Sequence, residues 1–223
     1  MAEVPSASEV HRAALRLRAE FEAQGLLLAH DLSLPSATRT VAGVPISGSW
    51  WGHPMGRLIY AAVSKLEMDI ARTKLVAGKS TLVYRSLWPA LAAVAEPQCD
   101  WQTRELSAAE QELWQLVERE GSVRLDQIPA VGGKKSAEVA KQLELRLLVY
   151  GYSQHTDAGS HAKVLLRFKS WREQQGITDE QLPALEAARA SLTEPVKRWV
   201  GERYLDMLPW FPPRERRAKR KRR

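Results

Sequence analysis

The chain has 223 residues, 44% of them hydrophobic and 26% charged, which suits one large or two small domains with a real core and excludes a fibrous or disordered composition. Apolar runs such as Gly25–Ala29 and Leu91–Ala95 fall far short of the ~20 residues of a membrane-spanning helix, and a single cysteine, Cys99, excludes an internal disulfide and a cysteine-based zinc cluster. The net charge of +7 is confined to Arg214–Arg223, where eight Lys or Arg stand against one Glu; residues 1–213 hold 25 basic and 25 acidic residues and are neutral.

The first element reads as a helix. Ser6 or Ser8 caps it, Val10, Ala14, Leu17 and Phe21 recur at helical spacing, and Gly25 stops it. Residues 31–48, rich in Ser, Thr, Pro and Gly, read as a loop. Ser49-Trp50-Trp51-Gly52-His53-Pro54 leads into a helix over 55–66 with Leu58, Ile59, Ala62, Val63 and Leu66 on its apolar face. Residues 74–84 read as two short strands around Gly78. Ser86 is placed to cap a short helix over 87–94, ended by Pro97. The polar stretch 96–106 reads as a boundary.

The next region carries sharper signals. Ser107 and Glu110 form a capping box ahead of a helix whose apolar face is Leu113, Trp114, Leu116 and Val117, and Gly121 ends it. Val123, Leu125 and Ile128 mark a short segment. Gly132-Gly133 opens a second helix over 134–145, burying Ala137, Ala140, Leu143 and Leu145 and leaving Lys134, Lys135, Glu138, Lys141 and Gln142 outside. Strands follow over 147–154 and 163–169, joined by residues 155–161, with Lys163, Arg167 and Lys169 on one face of the second. Thr178 and Gln181 cap a further helix to Leu192, and Pro195 starts a last one ending near Leu208.

Helix, short segment, helix and two-stranded hairpin is the order of a winged helix-turn-helix, which lays its second helix in the DNA major groove. The expected fold class is therefore mostly α with a small β component (α+β). Its expected division is an N-terminal helix-rich unit with a hairpin (1–105), a winged helix (106–175), C-terminal helices (176–213) and a disordered basic tail (214–223). Lys134 and Lys135 stand where a helix start meets phosphate; Lys141 and Gln142 lie along its outer face; Lys163, Arg167 and Lys169, with His155 and His161 on the connecting loop, complete a basic surface. Arg216, Arg217, Lys219 and Arg220 of the tail add affinity without sequence preference, because phosphates carry no sequence information.

Gly132-Gly133-Lys134-Lys135-Ser136, the run Leu143-Glu144-Leu145-Arg146-Leu147-Leu148-Val149 and residues 155–161 together resemble the winged-helix units of bacterial AlkZ-type proteins. Ser49–Pro54, Gly78-Lys79 and Leu87-Trp88-Pro89 resemble bacterial proteins that carry such a unit. The resemblance spans about residues 50–171. It implies a DNA-associated winged helix in a family of glycosylases that excise alkylated or crosslinked bases. The family's Gln-x-Gln catalytic signature does not occur in this sequence.

Other constellations have two accounts each. Trp50, Trp51, His53, Arg57, Lys79, Arg85 and Trp88 could line a pocket, with indoles to stack on a ring, His53 to shuttle a proton and cations to hold phosphate. The alternative, which is the stronger, has the tryptophans in the core and His53 capping a helix. Ala77–Thr81 ends like a P-loop, but Thr73 stands where that motif needs Gly and a strand follows where it needs a helix, so no nucleotide site is expected there. His155, Asp157 and His161 share one loop and suggest no fourth ligand, so a solvated loop is expected rather than a metal. No cofactor is called for, and no catalytic signature favours an enzyme.

The leading expectation is a cytoplasmic DNA-binding winged-helix protein. The alternatives are an AlkZ-like glycosylase and a protein-interaction module. No heptad pattern demands an oligomer.

Overall fold

The computed structural model describes residues 4–128, 130–155 and 161–211. Helix α1 (Ala7–Gln24) begins where Ser6 Oγ accepts from the Glu9 amide and the Glu9 carboxylate reaches back to the Ser6 amide. Ala13, Ala14, Leu17 and Phe21 make its buried stripe, and Gly25 closes it at φ 77°. Strand β1 (Leu26–Leu28) follows with all three leucines buried. The segment read as loop contains a helix, α2 (Ala37–Ala42), capped by Ser36, whose hydroxyl accepts from the Arg39 amide.

Helix α3 (Gly56–Ser64) follows a 3-10 turn at Trp50–Gly52. Next come β2 (Ile70–Thr73) and β3 (Thr81–Tyr84), which pair with β1 in the antiparallel order β1-β3-β2. The first of these strands therefore lies ahead of Lys74, and 74–80 is the connection. Leu17, Phe21, Leu27, Val41, Ile59 and Leu82 belong to the core beneath this sheet.

Helix α4 (Trp88–Ala95) is buried at every position but Pro89. Its uniformly apolar composition follows from that, because a helix surrounded by protein has no face for charge. Pro89 sits in its first turn; Ser86 lies in a 3-10 turn and makes no cap. The stretch read as a boundary is packed rather than open. It holds α5 (Asp100–Thr103), and Gln102, wholly buried, donates to the carbonyls of Ala95 and Leu147.

Helix α6 (Ala108–Glu120) has the Ser107–Glu110 capping box. Strand β4 (Ser122–Arg124) and a 3-10 turn at Leu125–Gln127 lead to a two-residue hairpin, β5 (Ala130–Val131) and β6 (Lys134–Lys135), around Gly132-Gly133. Both glycines take positive φ, 55° and 77°, the pairing that tight hairpins require. Helix α7 (Ser136–Leu145) therefore begins two residues later than expected. It buries Val139, Ala140 and Leu143, while Ala137 is exposed.

Strands β7 (Tyr150–His155) and β8 (His161–Leu166) pair antiparallel, and β4 joins the far side of β8, giving the order β4-β8-β7. Leu113, Val117, Leu143 and Leu165 fill the core between α6, α7 and this sheet. Each such side chain contributes about 1.5–3 kcal/mol by leaving water.

The second strand ends earlier than expected, because α8 (Phe168–Gln174) begins there. The Thr178–Gln181 box starts only a 3-10 turn; the long helix is α9 (Leu185–Val200), which runs unbroken through Pro195. A further 3-10 segment, Glu202–Met207, replaces the expected final helix. The class is α+β, with helix predominant and strands in small antiparallel sheets. No helix among the described residues is long and apolar enough to cross a membrane.

Candidate nucleic-acid interface

The buried stripe of α7 turns its opposite face to solvent, exposing Ala137, Glu138, Lys141 and Gln142. Lys134 and Lys135 are exposed too, but they stand on β6 and not on the helix, with Lys135 at the position preceding its first turn. The Gly132-Gly133 hairpin sets their place. A Cβ on Gly132 would come within 2.8 Å of Ala109 Cβ, so the hairpin is pressed against the start of α6.

Lys163 lies on β8, where its ammonium pairs with Glu144 Oε2 of α7 at 2.5 Å. That carboxylate is mostly buried against the sheet, and a Cβ at Gly151 would overlap it. Glycine on β7 thus makes room for the ion pair that joins helix to hairpin.

Arg167 and Lys169 leave the expected hairpin face, because the strand stops at Leu166. Arg167 precedes α8 and donates to Ser170 Oγ at 3.3 Å and to the Glu118 carbonyl at 3.4 Å, which turns it toward the end of α6. Lys169 is exposed on α8. His155 and His161 are cross-strand partners at the ends of β7 and β8, with ring centroids 4.0 Å apart. Asp157 and the tail residues Arg216, Arg217, Lys219 and Arg220 lie outside the described residues.

Sequence reasoning missed Lys74 and Arg72. Burial holds the Lys74 ammonium below the usual lysine range; Glu144 pulls the other way, and the charges of Lys163, Lys141 and Arg72 push it further down. Lys74 therefore shares the electrostatic surroundings of α7 and β8. No local signal could reveal this, because Lys141, Glu144 and Lys163 lie far along the chain from Lys74 and meet it only through the fold. The contact runs through Tyr150 of β7, whose hydroxyl accepts from the Arg72 amide at 3.4 Å and whose ring stacks on Trp171.

The seven residues considered for a pocket disperse. Trp88 is core: its indole donates to the Val83 carbonyl at 3.0 Å and packs edge-on against Trp171. Trp50 stacks on Trp51 at 4.1 Å, and Trp51, 64% exposed, tilts against Tyr60. His53 Nδ1 accepts from the Met55 amide at 3.1 Å, capping the approach to α3. Arg57 is exposed on α3. Lys79 pairs with Asp31 and Arg85 with Asp69. Lys79 and Arg85 are thus paired with carboxylates and Arg57 is exposed, while Trp88 belongs to a different core cluster from the one Trp50 packs against. Among the described residues no group of three or more His, Cys, Asp or Glu is placed to hold a metal ion.

No protein-family model matches the chain, and no significant match is found among curated proteins or solved structures.

Proposed function

We propose that the chain binds duplex DNA through a winged helix formed by residues 107–166. The observation that carries this reading is the sheet order β4-β8-β7 closing over α6 and α7, which leaves one face of α7 open to solvent. Helix, strand, helix and hairpin in that order match the motif that docks its second helix in the major groove. Lys141 and Gln142 on the open face, with Lys134 and Lys135 beside the helix start, supply phosphate contacts and hydrogen-bonding groups for base edges. Lys163 is partly neutralised by Glu144 and acts mainly to hold the hairpin against the helix. The tail, with eight cations against one Glu, strengthens binding by counterion release.

The likeness of residues 132–161 to AlkZ-type units belongs to the same proposal, as does a cytoplasmic setting, with which the lone unpaired Cys99 is in keeping.

Fluorescence anisotropy with labelled duplex across a salt series tests the reading. The full chain, residues 1–213 alone, and the full chain carrying Lys134→Ala, Lys135→Ala and Lys141→Ala are compared. The triple variant is expected to bind more weakly, and its log–log salt slope to fall by about 0.9 for each phosphate that it no longer neutralises. Binding that disappears with the tail and ignores the three lysines overturns the reading in favour of a protein-interaction module. A parallel assay for release of alkylated bases from duplex distinguishes a glycosylase.

A further inference from the structure

A cleft of about 780 Å³ opens between α1, the segment around α2 and the end of α9, and none of its lining residues belongs to the winged-helix region. Three arginines from those three segments line it: Arg16, Arg39 and Arg198. None makes an ion pair among the described residues. Arg198 donates to the Ala23 and Gln24 carbonyls at the end of α1, at 3.4 and 3.5 Å. Arg16 donates to the Val41 carbonyl at 3.5 Å, and the Arg39 guanidinium has no hydrogen-bond partner among the described residues. Carbonyls orient a guanidinium but do not cancel its charge. One carboxylate, Glu20, lines the cleft against the three cations.

One wall is Trp199. Its indole donates to Gln24 Oε1 at 3.0 Å, which fixes the orientation of the ring, and it is half-buried against the main core. The cleft is in the size range of small-molecule sites, which run to roughly 300–1,000 Å³. Guanidinium forks match phosphate oxygens in pairs, and an aromatic wall suits a flat ring.

We propose that this cleft binds a nucleotide, with its phosphates across Arg16, Arg39 and Arg198 and its base against Trp199. The site is independent of the DNA-binding reading and uses none of its residues. It was not legible in the sequence, because the three arginines lie in unrelated segments of an electrically neutral region.

Isothermal titration of the full chain with ATP, with inorganic pyrophosphate and with adenosine tests it. ATP is expected to bind, adenosine not. Arg39→Ala and Arg198→Ala are each expected to weaken ATP about tenfold or more, the scale of one charge-assisted hydrogen bond. Trp199→Leu is expected to weaken ATP and leave pyrophosphate unchanged. The Arg39 guanidinium is exposed and unbonded, so its variant keeps the fold, and a matched melting temperature confirms that. Absence of ATP binding at millimolar concentration, or equal binding by the Arg39 variant, overturns the proposal. So does a labelled duplex that displaces ATP and is itself weakened by Arg39→Ala, because the cleft is then a nucleic-acid backbone surface.

Discussion

Asp31 shows how much one side chain can organise. Its carboxylate is buried, accepts from the amides of Ser33 and Leu34 at 2.9 Å each, and pairs with Lys79. Burial alone raises its pKa, but the Lys79 hydrogen bond and the two amides outweigh that and hold it below the ordinary value of 3.8. A carboxyl depressed in the folded chain stabilises the fold above the unfolded pKa, and that contribution is lost as pH falls through the folded value. Urea unfolding midpoints should therefore drop below about pH 3.8. Asp31→Asn should lower the midpoint at neutral pH and flatten the acid limb. An unchanged acid limb in the variant would show that other carboxylates govern it. Lys79 looked like part of a phosphate motif in sequence, yet its charge is taken up by Asp31.

At the scale of elements, the Gly132-Gly133 hairpin decides where α7 begins. Two residues at positive φ turn the chain so tightly that Lys134 and Lys135 become a strand, and the helix starts at Ser136. The two glycines are used differently. At Gly133 a side chain would meet open space and only the backbone conformation would object. At Gly132 it would also collide with Ala109 of α6. Gly133→Ala should cost about 1–2 kcal/mol, the penalty of a left-handed conformation for an L-residue. Gly132→Ala should cost more, and denaturant titration of the two variants measures the difference. Equal destabilisation would show that the packing of this hairpin on α6 contributes nothing.

On the scale of the molecule, one core crosses the expected divisions. Leu26 and Leu28 from β1, all of α4 but Pro89, Leu147, Leu166, Phe168 and Trp171, and Ala188, Leu192 and Val196 of α9 form a single cluster. Gln102 and Tyr150 add polar ties across the same junction. Chemical denaturation should therefore show one transition, coincident by tryptophan fluorescence and far-UV circular dichroism. Two resolved transitions would show that the N-terminal sheet and the β4-β8-β7 region unfold as separate units.

Local chemistry was readable without a structure wherever neighbours in sequence are neighbours in space. The Ser107–Glu110 box, the stop at Gly121, the helical stripe of α1 and the short helix α4 follow from hydrogen bonds and periodicities within a few residues. Short elements were missed, because three leucines in β1 or six residues in α2 carry too little periodicity to separate strand, helix and loop. Pro195 misled for a related reason: a proline starting a helix and one inside a helix held by core packing look alike in sequence. Only the tertiary fold could neutralise Lys163 and Lys79 with distant carboxylates and gather Arg16, Arg39 and Arg198 around one cleft. Charge acts through space, and the distances that set its effect come into being only when segments far apart in the chain pack together.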